Sequence, residues 1–182
     1  MSEIGVRLSG IGGQGVVLAS IILGRAASVY DNLYAVQTQT YGSDMRGGDV
    51  CTEIIVSEKE IIYPIVNKPD ILIAIAQKAF DQHINDLKEG GILITDKDLV
   101  NVGDLTKNMK HYSEEFNKRA IEDFNEKRVS NMIMLGFVVG KTNLISYKAL
   151  EKAITDLLSP RILDMNKKAI DFGMNLAYEF KS

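Results

Sequence analysis

Residues Ser9-Gly10-Ile11-Gly12-Gly13-Gln14-Gly15-Val16 constrain this chain more than any other stretch. They follow an alternating segment, Ile4-Gly5-Val6-Arg7-Leu8, that reads as a first strand, and they open a long apolar segment that reads as a helix. A glycine turn between a strand and a helix is an anion site in waiting. The first N–H groups of a helix lack partners within it, and the macrodipole places partial positive charge there. Glycine lets the backbone turn tightly and approach a phosphate with no Cβ in the way. The spacing Gly10-x-Gly12-x-x-Gly15 also matches a dinucleotide fingerprint, which predicts an open α/β fold.

A nicotinamide site of this kind needs an acid about 20 residues on, at the tip of the second strand, to hold the ribose. The second strand reads Leu33-Tyr34-Ala35-Val36-Gln37-Thr38, and its tip carries the uncharged Gln37, Thr38, Gln39 and Thr40. Asp31 has nearly the right spacing but precedes the strand, at the wrong end of the sheet. The acid is missing where it is needed. A plainer reading of the glycines, close packing of helix on strand, stays open beside the anion site.

The following run, Gln37 to Gly48, is polar and rich in glycine, with Arg46 set beside Gly47 and Gly48. In an open α/β sheet it leaves the second strand at the carboxyl edge, where ligands bind, near the first glycine loop. Arg46 there has the fork geometry to meet a phosphate or carboxylate. The same residues also suit an ordinary surface loop with Asp44 and Arg46 as a weak exposed pair.

Together these stretches resemble one family. Gly10-Ile11-Gly12-Gly13-Gln14-Gly15-Val16, Val36-Gln37-Thr38-Gln39-Thr40-Tyr41-Gly42, Met45-Arg46-Gly47-Gly48, and Tyr63-Pro64 ahead of Lys68-Pro69-Asp70-Ile71-Leu72-Ile73-Ala74 resemble the gamma subunit of 2-oxoacid:ferredoxin oxidoreductases. The wording Gln-Thr-Gln-x-Tyr-Gly is most similar to the 2-oxoglutarate branch, and the resemblance covers nearly the whole chain. One departure is Ser43-Asp44, where the family pattern has a proline and a glutamate.

The resemblance implies a subunit of an enzyme that converts a 2-oxoacid and coenzyme A to an acyl-CoA and carbon dioxide, passing two electrons to ferredoxin or another acceptor. It implies alpha and beta partner subunits, with or without a delta. Thiamine diphosphate with Mg and the iron–sulfur clusters are expected in those partners. The gamma chain is expected to help form the coenzyme A site, through Gly10, Gly12, Gly13, Gln14 and Gly15 of the first loop and Tyr41, Gly42, Arg46, Gly47 and Gly48 of the second. Two other readings remain: a free nucleotide-binding enzyme resembling a small dehydrogenase, and a structural subunit whose loop binds nothing.

The residues suit a non-catalytic role. Cys51 is the sole cysteine, and a cluster needs about four thiolates. His83 and His111 are the two histidines, too few for a structural zinc set, and neither adjoins a Ser or Cys nucleophile. His83 reads as a helix-surface residue, His111 as a strand-end residue and Cys51 as a small buried hydrophobe. No metal site is expected. A net charge of −3 argues against nucleic acid, whose phosphates demand clustered Lys and Arg. Apolar stretches stay well short of the roughly 18 residues of a membrane span. No signal peptide precedes the first strand, and one cysteine suits the cytoplasm.

Apolar content of 46% over 182 residues is enough for one core, so residues 1–182 are expected to form a single domain. The pattern predicts a three-layer α/β/α sandwich around a mixed, mostly parallel sheet. Strands are expected at 50–56, 60–63, 71–75, 92–95 and 109–112. Helices are expected at 15–29, 77–87, 113–124, 131–139, 147–158 and 161–180. Only three residues separate 50–56 from 60–63, so those two form a hairpin or lie on different sheets. Ser146 is placed to cap a helix, and Gly136 inside an apolar helix, costing roughly 1 kcal/mol against Ala, points to close packing. The last helix is amphipathic through Ile162, Met165, Ala169, Ile170, Met174 and Ala177.

Overall fold

The computed structural model describes residues 3–41, 48–104 and 108–179. Six strands form one sheet: β1 (Ile4–Ile11), β2 (Tyr34–Tyr41), β3 (Asp49–Ser57), β4 (Ile71–Ala74), β5 (Ile92–Asp96) and β6 (Lys110–Glu114), in the order β2-β3-β1-β4-β5-β6. β1, β4, β5 and β6 pair in parallel, whereas β3 runs antiparallel between β1 and β2. All strands but β3 therefore end at one edge. Short apolar β4 is buried at every position, as a parallel strand covered on both faces must be.

The helices are α1 (Val16–Arg25), α2 (Gln77–His83), α3 (Phe116–Phe124), α4 (Ser130–Thr142), α5 (Tyr147–Leu157) and α6 (Pro160–Glu179). α1, α3, α4, α5 and α6 contribute to one large core with Val6, Leu8, Ile54, Ile73 and Ile94 of the sheet. On the opposite face α2 supplies Ala79 and Phe80 to a smaller core with Leu72, Ala74 and Leu93. The sandwich is present, but its second helical layer is one short helix.

Several expectations about elements change. The segment 60–63 forms no strand. Pro64 lacks the N–H that a ladder needs, and the backbone instead closes a three-residue turn, Ile65 N–H donating to Tyr63 O at 2.9 Å. β3 is paired with β1 on one side and β2 on the other, so no hairpin forms there. The helix expected at 15–29 runs as α-helix to Arg25 and finishes as a π-helical turn, Ala26–Tyr30. β6 continues to Glu114, and α3 begins at Phe116 rather than at 113.

The glycines of the apolar helices behave as their sequence context suggests. A Cβ on Gly136 would stand 2.2 Å from the Ile170 carbonyl oxygen, and one on Gly173 would stand 2.0 Å from that of Ile133. α4 and α6 thus meet backbone to backbone, with Gly140 against Ala177 one turn on. Ser146 caps α5 by accepting the Ala149 N–H at 3.1 Å. The first turns of α6 are not covered: Ile162 and Met165 are 47% and 43% exposed, so its buried stripe starts at Asn166.

Candidate functional site

The glycine turn leaves β1 at the carboxyl edge and delivers Gly15 as the N-cap of α1. Gly15 has φ +73 and Gly13 φ +92, values that L side chains rarely adopt. Space as well as backbone excludes a side chain at Gly15, because a Cβ would lie 2.2 Å from Asn131 Nδ2. That amide donates to the Gly15 carbonyl at 3.4 Å. Asn131 belongs to the first turn of α4, so the N-termini of α1 and α4 converge on one place. Two helix dipoles then point at the same region.

Gln14 staples the turn: the Ile11 N–H donates to its Oε1 at 2.7 Å, and its Nε2 donates to the Ile75 carbonyl at 2.9 Å. Gly10 is buried beneath the turn, where a Cβ would meet Gln14 Oε1 at 2.5 Å and Ile75 at 2.9 Å, so it serves close packing. The Gly12 N–H donates to the Gly48 carbonyl at 3.0 Å. That bond joins the first loop to the segment entering β3, although β3 itself separates β1 from β2. Tyr41 ends β2. Gly42, Arg46 and Gly47 lie outside the described residues, as does the Ser43-Asp44 departure.

The turn forms one wall of a cleft of about 660 Å³. Its other walls come from elements far away in sequence: Gln77 at the start of α2, Leu99, Asn117 and Ile121 of α3, and Lys127, Arg128 and Ser130 before and at the start of α4. Asn117 is held by Asp96 at the end of β5, whose Oδ2 accepts the Asn117 N–H at 3.1 Å and its Nδ2 at 3.0 Å. Asp96 is fully buried, and burial pushes its carboxyl above the ordinary value. Arg128 pairs with Glu126 at 2.6 Å on the open surface, a contact worth little against a bound anion. The cleft therefore offers apolar walls, backbone amides, two helix N-termini and two cations.

Lys127, Arg128, Asn117 and Ser130 were not singled out from the sequence. The signal existed, a Lys-Arg pair just before a strongly apolar helix. Strand order was needed to see that this helix begins beside Gly15.

The other polar residues resolve differently. Asp31 sits at the amino edge and caps α5, its Oδ2 accepting the Ser146 N–H at 2.5 Å and its Oδ1 the Ser146 hydroxyl at 2.6 Å. It is a structural group, and among the described residues of β2 no acid stands at the tip to hold a ribose. His83 is not a surface residue: its side chain is 12% exposed, beside Arg7 Nη1 at 3.5 Å. Burial, then the Arg7 charge, pushes its imidazole below the usual value. His111 lies near the start of β6, its Nε2 2.9 Å from Thr95 Oγ1, and burial lowers it too. Cys51 is half-buried rather than enclosed, and desolvation pushes its thiol up to about 11. Among the described residues no cluster of His, Cys, Asp or Glu is arranged to hold a metal, and no helix is long and apolar enough to cross a membrane.

An α/β sheet whose glycine turn heads the first helix and lines a cleft at the carboxyl edge is the architecture to compare with known proteins. Residues 5–176 match the family described as pyruvate ferredoxin/flavodoxin oxidoreductase, and the chain belongs to that family of oxidoreductases. It is 42% identical over 175 residues to 2-oxoglutarate synthase subunit KorC of Methanocaldococcus jannaschii, covering 96% of this chain and 94% of that one. Its fold is similar to the keto/oxoacid ferredoxin oxidoreductase gamma subunit of Geobacter sulfurreducens, with TM-score 0.85, 36% identity and coverage of 97% and 99%. It is also similar, with TM-score 0.89 and 20% identity, to a chain of the Magnetococcus marinus 2-oxoglutarate:ferredoxin oxidoreductase solved with 2-oxoglutarate, coenzyme A and succinyl-CoA bound. All of this chain aligns there, but to only 32% of that much longer polypeptide.

Proposed function

We infer that this chain is the gamma subunit of a 2-oxoacid:ferredoxin oxidoreductase of the 2-oxoglutarate type. Residues 1–182 act as one accessory domain of a cytoplasmic complex, and the chain contains no complete active site. Alpha and beta subunits carry thiamine diphosphate, Mg and the iron–sulfur clusters, and electrons leave to ferredoxin or another acceptor. The gamma chain's part is to hold coenzyme A. The cleft at the carboxyl edge supports this reading: it combines the amides of Gly13 and Gly15 with two helix N-termini, Lys127 and Arg128 beside apolar walls. Coenzyme A needs that mixture, anion contacts for its phosphates and apolar surface for its adenine and pantetheine. The proposal extends to Arg46, with Tyr41, Gly42, Gly47 and Gly48, as further coenzyme A-binding residues.

The test is anaerobic purification of the tagged chain from its native host, followed by coenzyme A-dependent dye reduction with 2-oxoglutarate and with pyruvate. Co-purifying subunits with thiamine and cluster signatures, and faster turnover of 2-oxoglutarate, are expected. A colourless chain recovered alone and inactive would overturn the proposal.

A further inference from the structure

The motif Tyr63-Pro64 has no place in the cleft. Residues 58–70 leave β3 and enter β4 at the amino edge, opposite the glycine turn. Here three large apolar side chains lie almost bare: Ile62 is 75% exposed, Tyr63 79% and Ile65 66%. No other apolar residue among those described is so exposed.

The segment is nonetheless firmly attached. Arg7, 7% exposed in the middle of β1, donates from Nη2 to the Val66 carbonyl at 2.8 Å. Its Nε donates to Glu53 at 2.8 Å and its Nη1 to Asp86 at 2.5 Å. Val66 is buried, and Asp70 clasps Gly5 through both its backbone N–H, at 2.7 Å, and its side chain, at 2.8 Å. A buried arginine with two carboxylate partners is a costly device, and it fixes a strap whose middle faces outward.

The strap continues a bare sheet face. α2, the helix on that side, packs on β1 and β4. The register puts Tyr34, Val36, Thr38 and Thr40 of β2 on this same face, opposite Ile55, Glu53 and Cys51 of β3. Tyr34 is 51% exposed, and Ile65 lines a shallow hollow with Ile55. On this face Tyr34, Thr38 and Thr40 of β2 are exposed, from the strap at the amino edge to the edge that bears the cleft.

We propose that the strap Ile62–Ile65 and the exposed face of β2 are the docking surface for the subunit that completes the enzyme. Its occupant is the counterpart of the remaining two-thirds of the fused relative, where this fold makes up 32% of the chain. A separate chain lacks that covalent tether and needs a non-covalent contact of roughly 800 Å² per partner with an apolar, aromatic-rich centre. Tyr63, exposed between Ile62 and Pro64 on a backbone tied to the sheet, has the character of such an anchor. A partner seated there also reaches the carboxyl edge, so it flanks the coenzyme A cleft. The proposal rests on the gamma-subunit reading above.

The experiment co-expresses the tagged full chain with its cognate subunits and weighs the recovered thiamine-bearing subunit by mass spectrometry. The variant Ile62→Asp with Tyr63→Asp is compared with Ile162→Asp, an exposed apolar residue on the opposite helical layer. The strap variant is expected to recover at least tenfold less partner, with circular dichroism and melting temperature unchanged, while Ile162→Asp recovers the wild-type amount. Complex that the strap variant does form keeps the wild-type KM for coenzyme A. Wild-type recovery by the strap variant, or equal losses in both variants, overturns the docking site and leaves the gamma-subunit reading standing. A wild-type chain that instead pairs with itself through the strap, monomeric in the variant, assigns the face to a second copy and overturns the proposal. Failure of the wild type to recover any thiamine-bearing subunit removes both readings.

Discussion

Gly15 shows how one residue couples conformation to site. Its φ of +73 costs an L side chain about 1–2 kcal/mol, and the space for a Cβ is filled by Asn131. Gly15→Ala is expected to destabilise the chain by roughly 2 kcal/mol, lowering the melting temperature by several degrees. Gly13→Ala has the same backbone penalty but open space around it, so calorimetry is expected to find a smaller loss. The histidines give the pH sensitivity a sign. Both are held below the reference value of 6.5, so the neutral form is favoured in the folded chain. Their stabilisation is complete above pH 6.5 and is lost as pH falls from there through their folded values. Asp96, raised by burial, acts in the opposite sense, losing stability as pH rises through its folded value. Melting temperature is therefore expected to fall between pH 7 and pH 5, and replacing both His83 and His111 with Gln is expected to flatten that slope. Cys51, pushed up to about 11 by burial, is expected to alkylate with a rate that still rises at pH 9.5.

At the scale of elements, the α4–α6 contact is the most demanding. Gly173→Ala gains about 1 kcal/mol of helix propensity, but its methyl meets the Ile133 carbonyl at 2.0 Å, a backbone atom that cannot rotate away. Overpacking costs about 1–3 kcal/mol and the steric term wins, so denaturant unfolding is expected to show net loss. Gly136→Ala contacts the same two helices, and the double variant is expected to fall short of the sum of the singles. The sequence made this contact legible, because a glycine inside an apolar run signals close approach. It also showed the apolar parallel strands β4 and β5 and the cap at Ser146. The segment 60–63 misled because Ile61, Ile62 and Tyr63 have strand-forming side chains. What decides a strand is a neighbour to pair with, and sheet order is not written locally. The first turns of α6 misled similarly: Ile162 and Met165 fit the period of the stripe, but no neighbour reaches them.

Across the whole molecule, half of the site was readable and half was not. The glycine turn announces itself through spacing, whereas Lys127, Arg128 and Asn117 join it only because α3 and α4 fold back onto the carboxyl edge. Arg7 reads as one polar residue in an alternating strand, and only the tertiary structure shows it tying the strap to the sheet. The cleft lies at the carboxyl edge and the strap at the amino edge, with the exposed face of β2 running between them. The central claim is that the cleft holds coenzyme A, and Lys127 is the residue to question. A coenzyme A titration of the assembled enzyme, wild type against Lys127→Glu, tests it most directly. An apparent KM for coenzyme A raised roughly tenfold, about 1.4 kcal/mol, is expected, with kcat and the KM for 2-oxoglutarate unchanged. An unchanged KM for coenzyme A in a fully assembled variant would contradict it.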